Sequence, residues 1–182
     1  MKNPQEYSTA EFISAYGIYR NGEKIGARIV PKEQKKREDL LKEMVARKPQ
    51  IMAHLLAEEK AAEKAAREWE EKVDAIPGLM KIDAAMEDLR SYQIEWEENW
   101  QRGDSGVGLR PRPQHDIAAM LLEYPRAAAY IKARDMSCAA NYAKAAAGKK
   151  ALIRIVNGED YEKALSDAEK EWNEHVMEHV WD

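Results

Sequence analysis

Between Leu79 and Trp100, the residues Leu79, Ile82, Met86, Leu89, Gln93, Trp96 and Trp100 alternate steps of three and four without interruption, with Gln93 the one polar member. That spacing keeps a single stripe on one face of an α-helix, and such a stripe must be covered by another helix. A comparable stripe lies upstream. Met52, Leu55, Ala62, Ala66, Trp69, Val73 and Ile76 recur at steps of three, four or seven, and Ile76-Pro77-Gly78 separates the two runs as a compact turn. At 1.5 Å per residue, positions 50–76 span ~40 Å and positions 79–102 about 36 Å. Two arms of nearly equal length read as an antiparallel helical hairpin. The expected register sets Val73 across from Ile82, Trp69 from Met86, Ala66 from Leu89 and Leu55 from Trp100.

The flanks follow from punctuation residues. Asn21-Gly22 lies between short runs containing Ile18, Tyr19, Ile25, Ile29 and Val30, which predicts a β-hairpin on a type I′ turn, with Gly17 and Gly26 marking a bulge or a close backbone approach. From Lys32 to Ile76 the chain is rich in helix formers, and Pro49 predicts a kink or division near Lys48. The run GDSGVGLRPRPQ, residues 103–114, is a flexible loop by its glycines and prolines. Beyond it, His115–Leu122 reads as a short helix and Pro125 starts another. Ala-rich helical sequence then runs to a stop at Asn157-Gly158, and a last helix carries Tyr161, Leu165, Ala168, Trp172 and Val176. The expected fold is α+β and mostly α-helical. Residues 1–102 hold the β-hairpin and the long helical hairpin, residues 103–114 the loop, and residues 115–182 a C-terminal Ala-rich helical bundle.

With 182 residues and 45% hydrophobic content, the chain is able to bury a core. One cysteine, Cys138, excludes an internal disulfide, and no apolar run approaches the ~20 residues of a membrane span. The N-terminal MKNPQEYSTAEF lacks the apolar core of a signal peptide, so a reducing, cytosolic setting is expected. Charge is polarised along the chain. Residues 74–104 hold eight carboxylates against three cations, residues 105–158 nine cations against three carboxylates, and residues 159–182 nine carboxylates against two cations. These blocks are either solvated faces that attract each other within the fold, or surfaces presented to a charged partner.

Motifs that invite chemistry are incomplete. His175-Val176-Met177-Glu178-His179 has the spacing of inverted zinc peptidases, but the distant third ligand has no place in the three residues that follow. Gly103-Asp104-Ser105-Gly106 matches a serine-protease nucleophile loop without its all-β setting or its partners, and His115 is as well suited to capping the next helix. Ala147-Gly148-Lys149-Lys150 lacks the upstream glycine and the following hydroxyl of a phosphate loop. Cys138 reads as a small buried thiol, and Trp69, Trp96, Trp100 and Trp172 as seam residues packed in cores. No catalytic residue, metal or cofactor is expected.

Three stretches carry a resemblance: AYGIYRNGEKIG, IAAMLLEYPRAAAYIKA and ANYAKAAAGKKALIRIVNGEDYEKAL. Together with the length and order of segments, they resemble small proteins carried by phages and mobile elements of gut Firmicutes, in particular a family of anti-CRISPR inhibitors of type II systems. The resemblance implies a non-enzymatic protein that binds the RNA-guided DNA endonuclease, with its guide RNA, and hinders target DNA binding or cleavage. Such nucleases hold nucleic acid in positively charged channels, so an acidic surface suits them. The candidate contact face is Asp83, Glu87, Glu95, Glu97 and Glu98, with Glu171, Glu174 and Glu178 as a second patch. An alternative is a phage or plasmid nucleic-acid-binding accessory protein using Arg110, Arg112, Arg126, Lys132, Arg134, Lys144, Lys149, Lys150 and Arg154. A third is a coiled-coil adaptor in which the helical hairpin pairs with a second copy.

Overall fold

A computed structural model of the chain describes residues 4–103 and 109–179, with side chains described to Val176. After a 3₁₀ turn at Pro4–Glu6 come α1 (Thr9–Tyr16), the strands β1 (Ile18–Asn21) and β2 (Lys24–Ala27), α2 (Gln34–Ala46), α3 (Lys48–Asp74) and α4 (Leu79–Gln101). The chain continues through α5 (Ile117–Glu123), α6 (Pro125–Ser137), α7 (Tyr142–Val156) and α8 (Tyr161–His179). The protein is mostly helical, with one two-stranded antiparallel hairpin, as its sequence predicts. Two compact units emerge, residues 1–67 and 68–182, with the division inside α3. Residues 104–108 of the expected 103–114 loop lie outside the described residues, as do Asp104 and Ser105 of the protease-like motif.

In the first unit, α1 is a helix that the hydrophobic pattern alone does not announce. Its signal is local: the Ser8 side chain accepts from the Glu11 amide, and the Glu11 carboxylate accepts from the Ser8 amide, a reciprocal capping box. Phe12, Ile13 and Tyr16 of α1 then pack with Ile18, Leu40, Met44 and Ile51 in a closed apolar core, against which Leu55 rests. The β-hairpin pairs Ile18 with Ala27 through Asn21 with Lys24, with no bulge. Its turn is shifted by one residue from the expected position. Gly22 and Glu23 are the central pair, Gly22 has φ +61°, and no non-glycine residue among those described has positive φ. A type I′ turn would require positive φ at Glu23, so the geometry is that of a II′ turn, which needs glycine at its first central position only. Gly26 serves the close approach the sequence suggests: a Cβ there would lie 2.5 Å from the Tyr19 ring.

The division expected near Lys48 is present. Arg47 separates α2 from α3, and Pro49 stands in the first turn of α3, where an amide hydrogen has no helical acceptor. The break is tied down by Arg47, whose guanidinium donates to Glu43 and to the Tyr7 carbonyl and lies over the Phe12 ring.

The second unit is built on alanine. Ala127, Ala129 and Ala133 of α6, Ala147 and Ala151 of α7, and Ala164 and Ala168 of α8 are buried together with Ile155 and Val156. Small side chains let the three helices approach closely. Ile76, Leu79 and Ile82 complete this core, with Trp69, Val73 and Met86 packed against it. The turn residues therefore sit as expected, and the end of the α3 stripe shares one cluster with the start of the α4 stripe. Further along, the predicted register is corrected: Leu55 belongs to the first unit's core, Ala66 is exposed, and Trp100 is 71% exposed and stacked on Trp96. Two cores compete for α3, and each takes the end nearest to it in sequence.

Candidate functional site

Three of the acidic residues singled out by sequence, Asp83, Glu95 and Glu171, pair with three of the singled-out cations, Arg134, Arg110 and Lys150, within the second unit. Arg110, between α4 and α5 in sequence, binds the side of α4. Its Nη1 donates to Asp88 Oδ1 at 2.6 Å, its Nη2 to the Asp88 carbonyl at 3.1 Å and its Nε to Glu95 at 3.2 Å. His115 Nε2 lies 2.9 Å from the other Asp88 oxygen. Asp88 and Glu95 are seven residues apart, so both carboxylates share a helix face and one guanidinium reaches both. The hydrogen bond from His115, then that from Arg110, holds the Asp88 carboxyl below its usual range, and Asp88 in turn raises Arg110. His115, which by sequence is suited to capping α5, binds Asp88 instead; Asp116 is the cap, accepting from the Ala119 amide.

Elsewhere the same pattern holds. Arg134 donates to both oxygens of Asp83, at 3.1 and 3.3 Å, and lies over the Tyr130 ring. Lys132 pairs with Glu169, Lys150 with Glu171 at 2.6 Å, and Arg154 bridges Glu159 and Asp167, both at 2.8 Å. Arg126 donates to the Ile155 carbonyl in the last turn of α7, and Lys144 lies over the Trp172 ring. Of the nominated cations, Arg112 and Lys149 are exposed without an ion pair among the described residues. On the acidic side Glu98 holds Arg102 and Glu174 holds Lys170, both on the helix surface, while Glu97 accepts from Gln93. Glu87 is exposed and has no ion pair among the described residues. The Glu178 side chain lies outside the described residues.

A second surface was assigned to a core by its spacing and is open instead. Trp96 and Trp100 stack with ring centroids 5.7 Å apart and planes 15° apart, and Ile94 beside them is 47% exposed. Leu89, Tyr92, Gln93, Trp96 and Arg112 line an open groove of about 410 Å³. A groove of the same volume runs along Leu121, Leu122 and Pro125 toward Tyr161 and Leu165. Cys138, expected to be buried, is exposed, because α6 ends there and Asn141 starts the next helix.

Among the described residues no group of three or more His, Cys, Asp and Glu side chains is placed to hold a metal ion. His175 of the zinc-like motif packs its ring against Trp172, and the side chains of Glu178 and His179 lie outside the described residues. No described helix is long and apolar enough to cross a membrane. Comparisons with protein-family models, with curated proteins and with solved structures find no match.

Proposed function

We propose that this protein is a non-catalytic inhibitor that binds a type II CRISPR RNA-guided DNA endonuclease in the bacterial cytosol and hinders its engagement of target DNA. The resemblance of its N-terminal hairpin and Ala-rich helices to that inhibitor family supports the reading. The observation that favours it over a nucleic-acid-binding role is the state of the cations. Arg110, Lys132, Arg134, Lys150 and Arg154 are each held by a carboxylate of the same unit. A phosphate would have to displace those carboxylates, so counterion release, the main source of nucleic-acid affinity, is already curtailed.

The contact face expected from sequence narrows accordingly. Asp83 and Glu95 are engaged internally, which leaves Glu87, Glu97 and Glu98 on α4 and Glu174 on α8 as carboxylates directed to solvent or held only along their own helix. A basic channel would take these without first breaking a bond between helices.

The deciding experiment is cleavage of target DNA by a guide-loaded type II nuclease, with the purified protein added before and after guide loading. Cleavage is expected to fall in at least one order, and Glu87→Lys combined with Glu98→Lys is expected to relieve the inhibition. Undiminished cleavage in both orders overturns the proposal. A gel shift of nonspecific duplex by the protein alone would favour the nucleic-acid-binding role in its place.

A further inference from the structure

Beyond that reading, the distal half of α4 carries a partner preference of its own. The heptad stripe divides sharply: Leu79 and Ile82 are buried and Met86 packs on the same core, whereas Leu89, Gln93 and Trp96 continue the identical spacing along the open groove and Trp100 stands exposed beyond it. We propose that this half of α4 pairs antiparallel with the same segment of a second copy, forming a two-fold symmetric dimer.

The register follows from the heptad itself. Antiparallel helices stack their two core positions against each other in opposite order. Leu89 then meets Trp100 of the second copy, Gln93 meets Trp96, and symmetry repeats both layers. Each large ring is matched with a smaller side chain, and the Gln93 amide faces an indole N–H able to donate to it. The groove beside Leu89 receives the incoming Trp100 ring, and 410 Å³ exceeds the ~150 Å³ known to admit a benzene ring. Arg112 on the groove wall supplies a guanidinium for stacking on that indole.

Charge selects a second copy over an unrelated helix. In this register the positions flanking the core bring Arg90 against Glu97 of the second copy, twice by symmetry. Arg90 and Glu97 are exposed, and neither has an ion pair among the described residues; Glu97 accepts a hydrogen bond from Gln93 along its own helix, while Asp83, Asp88, Glu95, Glu98 and Arg102 are paired. A parallel alignment would instead set Arg90 beside Ala85 and Glu97 beside Tyr92, with no charge matched.

Sedimentation equilibrium of the intact protein over a wide concentration series tests this. A monomer–dimer equilibrium is expected. Arg90→Glu and Glu97→Arg should each weaken it about tenfold, since two attractive pairs become two repulsive ones. The double reversal in one chain should restore it, because each copy then offers the swapped charges. Trp100→Ala should also weaken it, with helix content by circular dichroism unchanged in every variant. A protein that stays monomeric throughout overturns the dimer. A dimer indifferent to either single reversal, or one weakened further by the double reversal, overturns the antiparallel α4 register.

Discussion

Gly148 shows how one missing methyl group sets the spacing of helices. A Cβ at that position would lie 2.4 Å from the Ser137 amide nitrogen and 2.7 Å from Met136 Cβ, so α7 crosses the end of α6 at backbone distance. Within the Ala147–Lys150 run this glycine resembles a phosphate-loop remnant; in the fold it is a packing residue. Alanine there would gain roughly 1 kcal/mol of helix propensity. Backbone atoms cannot swing aside, however, and overpacking costs about 1–3 kcal/mol. Gly148→Ala is therefore expected to lower stability, read as an earlier midpoint in urea. At Asp88 the readout is pH. Its folded-state carboxyl is held below the ordinary range by His115 and Arg110, so the stabilisation is present above about pH 4 and is lost as pH falls through the depressed value. Asp88→Asn should be less stable at neutral pH yet lose less on acidification, in thermal melts compared between neutral pH and about pH 3.

At the scale of elements, the joint between α2 and α3 depends on Arg47 as much as on Pro49. The proline permits a helix to start there. Arg47 holds the break by reaching Glu43 and the Tyr7 carbonyl while covering Phe12, and both members of its ion pair are less than one-fifth exposed. Removing a partly buried, charge-assisted network of this kind costs about 2–3 kcal/mol. Arg47→Ala is expected to destabilise the first unit by that amount in denaturant titrations, and Arg47→Lys to recover part of it. Proline spacing made the break legible in sequence. The arginine's part was not legible, because its acceptor at Tyr7 lies 40 residues away. The stripe of α4 teaches the converse. Its period identified the helix, yet a period does not state what covers a face: of the stripe only Leu79 and Ile82 are buried, together with Ala85 beside it.

For the whole molecule, polarised charge blocks turn out to be complementary inside one unit. Five of the nine cations of residues 105–158 meet carboxylates of α4 and α8, and the closely spaced alanines of α6, α7 and α8 form the core beneath them. Residues 68–182 therefore contain their own core and partners for most of the cations that flank it. Produced as a fragment, this segment is expected to be helical and to melt cooperatively; a broad, noncooperative transition would show that it depends on residues 1–67.

The amino-acid sequence alone determined most of the elements: the hairpin around Gly22, the break before Pro49, the turn at Pro77-Gly78, the start at Pro125 and the stop at Asn157-Gly158. These are decided by backbone geometry and side-chain period within a few residues. Tertiary structure alone decided which core claims Leu55, why Trp96 and Trp100 stand open, and which arginine holds which carboxylate. Those outcomes are contests between distant segments for the same apolar face or the same charge, and local spacing carries no record of which competitor wins.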